Sequence, residues 1–492
     1  MKIATFAFNQ YPIPLLAALS TNAVSLDQER DSVLYLMEVA SSIESKFVTT
    51  PHWIPANFRK HSALGKVLGL LESRKEPTMN IVHHKIPLKS GLKAFTTKEL
   101  TNLQTLEDLM KVTYSGLPAG RAIANYLART KRTSEFEVTS LRYTIGQLYR
   151  GYVSLADFLL ELIGKGEVSQ VNIYQGNFLY DACLLHVAEQ TRTPFHIYSE
   201  GDSSYFQKTP FSFHDYSSWV SNFETKLDLQ IQEVKTGTNE QTHLTNLQVF
   251  SRRHFLQNQE VNYVRSSLRT KNLITYFTSN AKDERFGLSD EWGSELSNQI
   301  LTAQFIAQEI SKWGRILVVR VHPNTLTKAK VERNSWQKLS NIEGIELVQA
   351  QDRDDSYEIL DRSSLVIAPG STIGLEASAR GIPSITTMPA IYDGFNPTYQ
   401  VRTFKELELQ LNLFLSDQMK RIDPARALGW MRTREEMFFY PNTTITETLG
   451  KSWNQLENEL QVTGVLLFIN RANKLFNKLK LMIGDYFFSL RS

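Results

Sequence analysis

Short apolar runs alternate with segments of helical spacing over most of the chain. The clearest runs are NLITYFTSN (272–280), ILVVRVHP (316–323), IELVQ (345–349), SLVIAPG (364–370) and IPSITT (382–387). Each reads as a buried strand bounded by turn residues, and helices such as Leu296 to Lys312 lie between most of them. Continuously apolar strands separated by helices predict a parallel sheet covered on both faces. In the first half, Leu141 to Gly164 has the spacing of a strong amphipathic helix. VSQVNIYQGN (168–177) then reads as a strand ending in a Gly-Asn turn, followed by a helix from Tyr180 to Gln190, a Thr-Pro break and the strand FHIYSEGD (195–202). Strand, helix, strand at this spacing is a βαβ unit, with function expected where strands end. Nearer the start, Met1 to Phe8 fits a first strand, and Ala56 to Ser73 a helix with Leu64, Val67, Leu68 and Leu71 on one face. IVHHKIPL (81–88) is a short strand, whose His83 and His84 point to opposite faces and so do not chelate together. Residues 228–245 are polar, and a hinge is expected between them and Leu273. The pattern predicts two α/β halves with a ligand in the cleft between them.

Length agrees with this: 492 residues suits two domains, or two plus an extension. A formal net charge of +3 argues against a nucleic-acid binder. One cysteine, Cys183, excludes disulfide scaffolds and cysteine-based zinc sites. The start, MKIATFAFNQYPIP, has one lysine and an apolar run too short for a signal peptide, and no run of about 18 apolar residues occurs. A cytoplasmic, enzyme-sized protein is expected.

Candidate chemistry gathers at the predicted strand ends. Gly370, Ser371 and Thr372 lie between strand SLVIAP and helix IGLEASAR. A helix start presents unpaired N–H groups and partial positive charge, a ready phosphate site, although Ser or Thr there is also an ordinary N-cap. Glu376, about one turn further, suits the two hydroxyls of a ribose, or merely the helix dipole. His322 ends a strand where ligands of open α/β folds bind, and Pro323 keeps it out of the helical region. It suits a phosphate or a leaving group, with a structural role as the alternative. Arg320, two residues earlier, is expected on the same side of the strand. DRDDSYEIL (352–360) contains a D-x-D, where Asp354 or Asp355 as the N-cap of the next helix is favoured over a metal. Ser356 and Tyr357 at that helix start are also expected to face the cleft. Glu200, before Gly201 at the end of FHIYSE, stands where a general base or nucleophile belongs, or is a turn glutamate in water.

Taken in order, Glu200-Gly201, Thr278 to Glu284 (T-S-N-x-x-D-E), Arg320 to Pro323 (R-x-H-P), Asp355 to Tyr357 (D-S-Y) and Gly370 to Pro383 (G-S-T-x-G-L-E-A-x-x-x-G-I-P) resemble bacterial capsule and surface polysaccharide biosynthesis proteins. These are GT-B glycosyltransferases that include the capsule Kdo transferases and, more distantly, the bacterial polysialyltransferases. The resemblance covers residues 168–400. It implies an α/β GT-B fold, with two Rossmann-like domains facing a cleft: an acceptor domain over 1–250, a nucleotide-sugar donor domain over 270–430 and a helical extension over 431–492. It also implies a nucleotide-sugar donor, a CMP-sugar by preference, moved to a glycan or lipid-linked acceptor without metal or cofactor. On this likeness His322, Ser371 and Thr372 bind donor phosphate, with Arg320, Gly370, Glu376 and Ser279 beside them, and Glu200 is the catalytic carboxylate. One departure is that Ser199 precedes Glu200 where relatives often have a second acid.

The tail 465–492 places Val465, Phe468, Ile469, Ala472, Leu475, Phe476, Leu479, Met482, Ile483 and Tyr486 on one helical stripe and carries five Lys or Arg against one Asp. A basic amphipathic helix suits the inner face of an anionic membrane, or packs back on the first domain. Competing functions are a polyol-phosphate transferase of teichoic-acid type, a sugar-nucleotide 2-epimerase, and a non-catalytic polysaccharide assembly or export protein.

Overall fold

The computed structural model describes residues 2–7, 31–39, 79–86, 97–131, 136–174, 179–200, 205–209, 220–236, 262–270, 272–279 and 294–441, with Met482. The expected helix over 56–73 and the amphipathic tail stripe, Met482 apart, lie outside the described residues. So do Asn280 to Glu284 of the T-S-N stretch, the Gly-Asn turn after Tyr174, and Gly201. Among the described residues no helix is long and apolar enough to cross a membrane.

The strands are β1 (Lys2–Ala7), β2 (Asp31–Val39), β3 (Met79–Ile86), β4 (Gln170–Tyr174), β5 (Phe195–Glu200), β6 (Tyr205–Thr209), β7 (Leu273–Phe277), β8 (Leu317–Arg320), β9 (Ile345–Val348), β10 (Ser363–Ala368), β11 (Ser384–Thr386), β12 (Tyr399–Gln400) and β13 (Phe439–Pro441). The longer helices are α1 (Ala119–Lys131), α2 (Arg142–Gly164), α3 (Leu179–Gln190), α4 (Val220–Thr236), α5 (Gln299–Ser311), α7 (Thr372–Ala379), α8 (Phe404–Leu415) and α9 (Pro424–Phe438), and the short α6 is Ser356–Asp361. The chain divides into two compact units. The first holds β1–β6 and β13, and the second holds β7–β12 together with α4 and α9 up to Met437.

In the first unit the sheet order is β13-β6-β5-β4-β1-β2-β3. Its core β5-β4-β1-β2-β3 is parallel, and β6 and β13 add an antiparallel edge. The βαβ unit is β4-α3-β5, whose helix is buried from Leu179 to Leu185 and again at Val187 and Ala188. α2 is interior along most of its length. Its buried Arg142 is satisfied by donating to the carbonyls of Thr101 and Leu103, the end of the short helix Thr97–Asn102.

The second unit is a six-stranded parallel sheet in the order β12-β11-β10-β7-β8-β9. Counted from β7, this is the 3-2-1-4-5-6 order of a Rossmann sheet, so the strand order reverses between β7 and β10. Both faces are buried, and residues alternate between them. Leu317, Val319, Val321, Leu365 and Ile367 pack beneath α5 and α8, with Phe305 on Phe404 at 4.8 Å. Val318 and Val366 pack on the other side with Ile359, Leu360 and Ala377 of α6 and α7. That two-sided burial is why these strands are apolar throughout.

One stretch departs from the sequence expectation. Residues 228–236, read as part of a polar stretch, are the second half of α4. Phe223, Leu227 and Val234 are buried along one face of that helix, and Ile231 lies against Gly429 of α9. Four apolar residues at helical spacing set the helix, while the polar residues between them face outward.

The start of α1 shows how tightly the first unit is packed. A β-carbon on Gly120 would lie 1.7 Å from the Leu109 carbonyl oxygen. Gly120→Ala is expected to lower stability by about 3 kcal/mol or more, as backbone overpacking does. The midpoint of urea unfolding measures this, with an unchanged midpoint contradicting it.

Candidate functional site

The carboxyl ends of β7, β8 and β10 are neighbours, on either side of the point where the strand order reverses. Open α/β sheets bind ligands at that point because the loops leaving the two central strands run in opposite directions. Ser279 follows β7, His322 follows β8, and Gly370 to Thr372 follow β10.

After β8 the chain stays paired for one more residue, as Val321 donates to the Val348 carbonyl at 2.8 Å. The His322 N–H then donates to Thr278 Oγ1 at 2.9 Å. Pro323 opens a 3-10 turn, Pro323–Thr327, and His322 caps it by accepting the Asn324 N–H on Nδ1 at 3.1 Å. Proline suits the first position of such a turn because its missing N–H has no partner there anyway. A backbone N–H only donates, so Nδ1 bears no proton, and the neutral ring carries its proton on Nε2. Burial, and then the charge of Arg320, push the imidazole pKa down to about 4. His322 is thus a neutral ring at pH 7, both a structural cap and an N–H donor.

Arg320 points to the face occupied by α6, and the residue is only 1% exposed. Its Nε donates to Ser356 Oγ at 3.0 Å and its Nη1 to the Gln349 carbonyl at 2.6 Å. Among the described residues Nη2 is buried with no partner. Burial pulls its pKa down to about 10, against the raising pull of Asp354 and Asp352. The side chain ties the end of β8 to the end of β9 and to the start of α6.

The acids of the D-x-D stretch are engaged. Asp355 is the N-cap of α6, accepting from the Tyr357 N–H at 2.9 Å. Asp354 takes the Arg265 N–H at 2.8 Å and its guanidinium at 2.5 and 2.9 Å, and Asp352 takes the same guanidinium at 2.6 Å. Burial raises the Asp354 pKa, but the Arg265 bonds outweigh it and hold the carboxyl below its usual range.

Gly370 has φ +68°, and a β-carbon there would meet the Pro389 carbonyl oxygen at 2.5 Å. Both facts require glycine. Ser371 stands at the N-cap of α7, yet its hydroxyl makes no capping bond. Its carbonyl accepts from the Gly374 N–H at 3.1 Å and from the Tyr392 hydroxyl at 2.8 Å. Thr372 is exposed and opens the helix. Glu376, one turn on, is only 4% exposed. Burial pushes its pKa up to about 7, opposed by the Tyr357 hydroxyl, the Arg380 charge and the Thr372 hydroxyl. Its Oε2 is buried without a hydrogen-bond partner among the described residues. Arg380 lies over the Tyr357 ring at 5.6 Å, so Tyr357 and Glu376 share one buried setting.

Ser279 is held by its backbone. Gln299, buried at the start of α5, accepts the Ser279 N–H at 2.9 Å and donates to its carbonyl at 2.8 Å. Gln299 and Tyr392 were not singled out from the sequence, and Thr278 entered only as the first residue of the T-S-N motif. A buried glutamine at a helix start and a tyrosine in a Pro/Gly-rich loop carry no local signature of their partners. Glu200 ends β5 in the first unit, opposite Phe206 of β6. Its side chain lies outside what the structure describes.

No protein-family model matches the chain, and no curated protein matches it. Among solved structures it is similar to a beta Kdo 2,4 transferase, KpsC, of Thermosulfurimonas dismutans, with 12% identity and TM-score 0.34 over 57% of this chain and 87% of that one. It is also similar to S. aureus MnaA with UDP, at 13% identity and TM-score 0.31 over 88% and 94%. A third is the UDP-GlcNAc 2-epimerase of Neisseria meningitidis bound to UDP-GlcNAc, at 10% identity and TM-score 0.30 over 89% and 99%. Likeness at this level carries no argument about activity. The class the chain itself defines is an α/β protein with a parallel six-stranded sheet and a candidate site at that sheet's carboxyl edge.

The Gly370 turn gives a direct test. Gly370→Ala combines a left-handed backbone with a clash against Pro389, and is expected to cost about 2–4 kcal/mol. Chemical unfolding followed by tryptophan fluorescence measures it, and a loss below about 1 kcal/mol would contradict the turn.

Proposed function

We propose that the protein is a glycosyltransferase of GT-B type that moves a sugar from a nucleotide-sugar to a glycan or lipid-linked acceptor in surface polysaccharide assembly. The observation that carries this is the company at the strand-order reversal. A helix start with a glycine turn, a neutral imidazole donor and a buried carboxylate with an unpartnered oxygen all follow β8 and β10, the two neighbours of β7. Phosphate suits the helix start, and a ribose diol suits Glu376. The motif resemblance favours CMP as the nucleotide.

In this reading the acceptor hydroxyl gives its proton to Glu200 while its oxygen bonds to the anomeric carbon. The bond from that carbon to the phosphate oxygen breaks, and its electron pair leaves with the nucleotide. The N–H groups at the start of α7 and Nε2–H of His322 stabilise the charge that develops there. Preorganised donors of this kind usually lower the barrier more than any other single effect. With Glu200 as base the product is inverted. Arg265 and the cap of α6 occupy Asp352, Asp354 and Asp355, so these acids act within the fold and are given no metal in this reading.

Thermal stabilisation by CMP, CDP, UDP and GDP tests the reading, since a ligand bound only by the folded state raises its melting temperature. CMP is expected to raise it most, and no shift with any of the four would defeat the proposal. His322→Ala and Glu200→Gln are each expected to abolish transfer, Glu200→Gln with the melting temperature nearly unchanged and His322→Ala with a fall of a few degrees from the lost cap of the Pro323 turn.

A pH dependence follows from Glu376. Ribose hydroxyls donate to the ionised carboxylate, and the raised pKa means that ionisation is lost as pH falls through about 7. Affinity for cytidine, which carries the ribose but no phosphate to titrate in this range, is therefore expected to rise from pH 6 to pH 8 in the wild type. In Glu376→Gln the same titration should be weak and flat over this range, and an unchanged pH profile would remove Glu376 from the site.

A further inference from the structure

The loop Thr387–Thr398, which follows β11, forms the back wall of the Gly370 turn, and one residue of it stands out. Tyr392 is fully buried, and its hydroxyl donates to the Ser371 carbonyl at 2.8 Å. That carbonyl also accepts the Gly374 N–H at 3.1 Å. A peptide group is planar, so fixing the oxygen of the Ser371–Thr372 peptide fixes the direction of the Thr372 N–H on its far side. The Thr372 N–H is among the first-turn donors of α7, those with no carbonyl one turn back. Two donors on one carbonyl oxygen also polarise its peptide, which strengthens the N–H as a donor.

The surroundings hold Tyr392 to this task. Its ring meets Trp430 edge-on at 5.9 Å, and Trp430 stacks in turn with Phe223 at 5.8 Å. Phe223 also meets Phe395, at 5.0 Å, further along the same loop. Gly374 packs closely on Ser384, whose Oγ a β-carbon there would meet at 3.1 Å, while the same β-carbon would lie in ordinary contact with the Tyr392 hydroxyl at 3.5 Å. Asp393 next to it is pinned by Arg402 and by the Ala390 N–H. The tyrosine therefore reaches the anion-facing turn from a rigid aromatic layer, without lying on the turn itself. The buried, unpartnered Oε2 of Glu376 is an independent sign that the start of α7 awaits a ligand.

We propose that Tyr392 is a positioning residue for phosphate: its hydroxyl aims and polarises the Thr372 N–H at the start of α7. This rests on the nucleotide reading above. It adds that recognition of the phosphate, as distinct from the base and ribose, is set from the loop after β11.

The test is Tyr392→Phe, which keeps the ring and removes only the hydroxyl. Affinities for CMP, UDP, cytidine and uridine are measured by calorimetry on the full chain, and the fold is checked by thermal melting. Loss of one neutral hydrogen bond should weaken binding of the favoured nucleotide roughly three- to tenfold while leaving its nucleoside unchanged. A merely structural role would weaken nucleotide and nucleoside alike, and that result overturns the proposal. Equal nucleotide affinity in variant and wild type overturns it too. If the wild type binds neither CMP nor UDP, this inference fails, and the nucleotide reading itself fails when CDP and GDP do not bind either.

Discussion

The candidate site depends on one backbone contact, the turn at Gly370 against the carbonyl of Pro389. A β-carbon there would meet that oxygen at 2.5 Å, and the positive φ adds to the preference for glycine. Once that turn is made, the rest follows at helical pitch. Thr372 opens α7, Glu376 lies four residues on beside the Thr372 hydroxyl, and Arg380 lies four further, donating to the Glu376 carbonyl. Residues at i and i+4 share a face, so a single turn sets the positions of these three side chains together. The loop that blocks the β-carbon also supplies Tyr392, so the constraint and its support come from the same segment.

Among the described residues, the electrostatics of the candidate site rest on fixed donors more than on exposed cations. His322 is neutral because Nδ1 must accept and because burial and Arg320 oppose its charge. Arg320 is a buried cation, but its Nε and Nη1 are committed to Ser356 and Gln349. The acids nearest to it are held by Arg265 and by the cap of α6. In the proposed reading an anion is met by oriented N–H groups at the start of α7, where little reorganisation is needed. Such an arrangement discriminates by shape and direction, since each donor addresses one oxygen position.

Much of the fold was legible in the sequence, because two-sided burial makes parallel strands continuously apolar. ILVVRVHP and FHIYSE each contain the observed strand, and SLVIAPG covers all of its strand but Ser363. Asp355 as a helix cap was legible for a similar reason, since capping is a local event. Three features were not. The second half of α4 was hidden in the polar stretch from residue 228, because its apolar face is one residue in three or four and begins before that stretch. Arg320 does lie on one strand face, but where its guanidinium ends is decided by Ser356 and Gln349, which are distant in sequence. The supports of the turn, Tyr392 and Gln299, act across 20 or more residues through backbone atoms, and backbone atoms leave no trace in side-chain patterns.

Glu376 gives the strongest physical argument that this edge of the sheet binds something. A buried carboxyl with one oxygen unpartnered is costly, whether it is kept charged or neutralised by a proton. The helix around it is otherwise apolar or small, from Gly374 and Leu375 to Ala377 and Ala379. Folding alone would favour an apolar residue of similar volume, which removes the desolvation penalty without breaking any backbone bond. The Tyr357 and Thr372 hydroxyls and the Arg380 charge favour the ionised form, yet burial still raises its pKa to about 7. A group held at that balance is sensitive to the arrival of new donors, and a ligand that brings two hydroxyls would tip it to the carboxylate. The strain is thus placed where binding would relieve it, four residues from a helix start whose first N–H groups have no carbonyl one turn back.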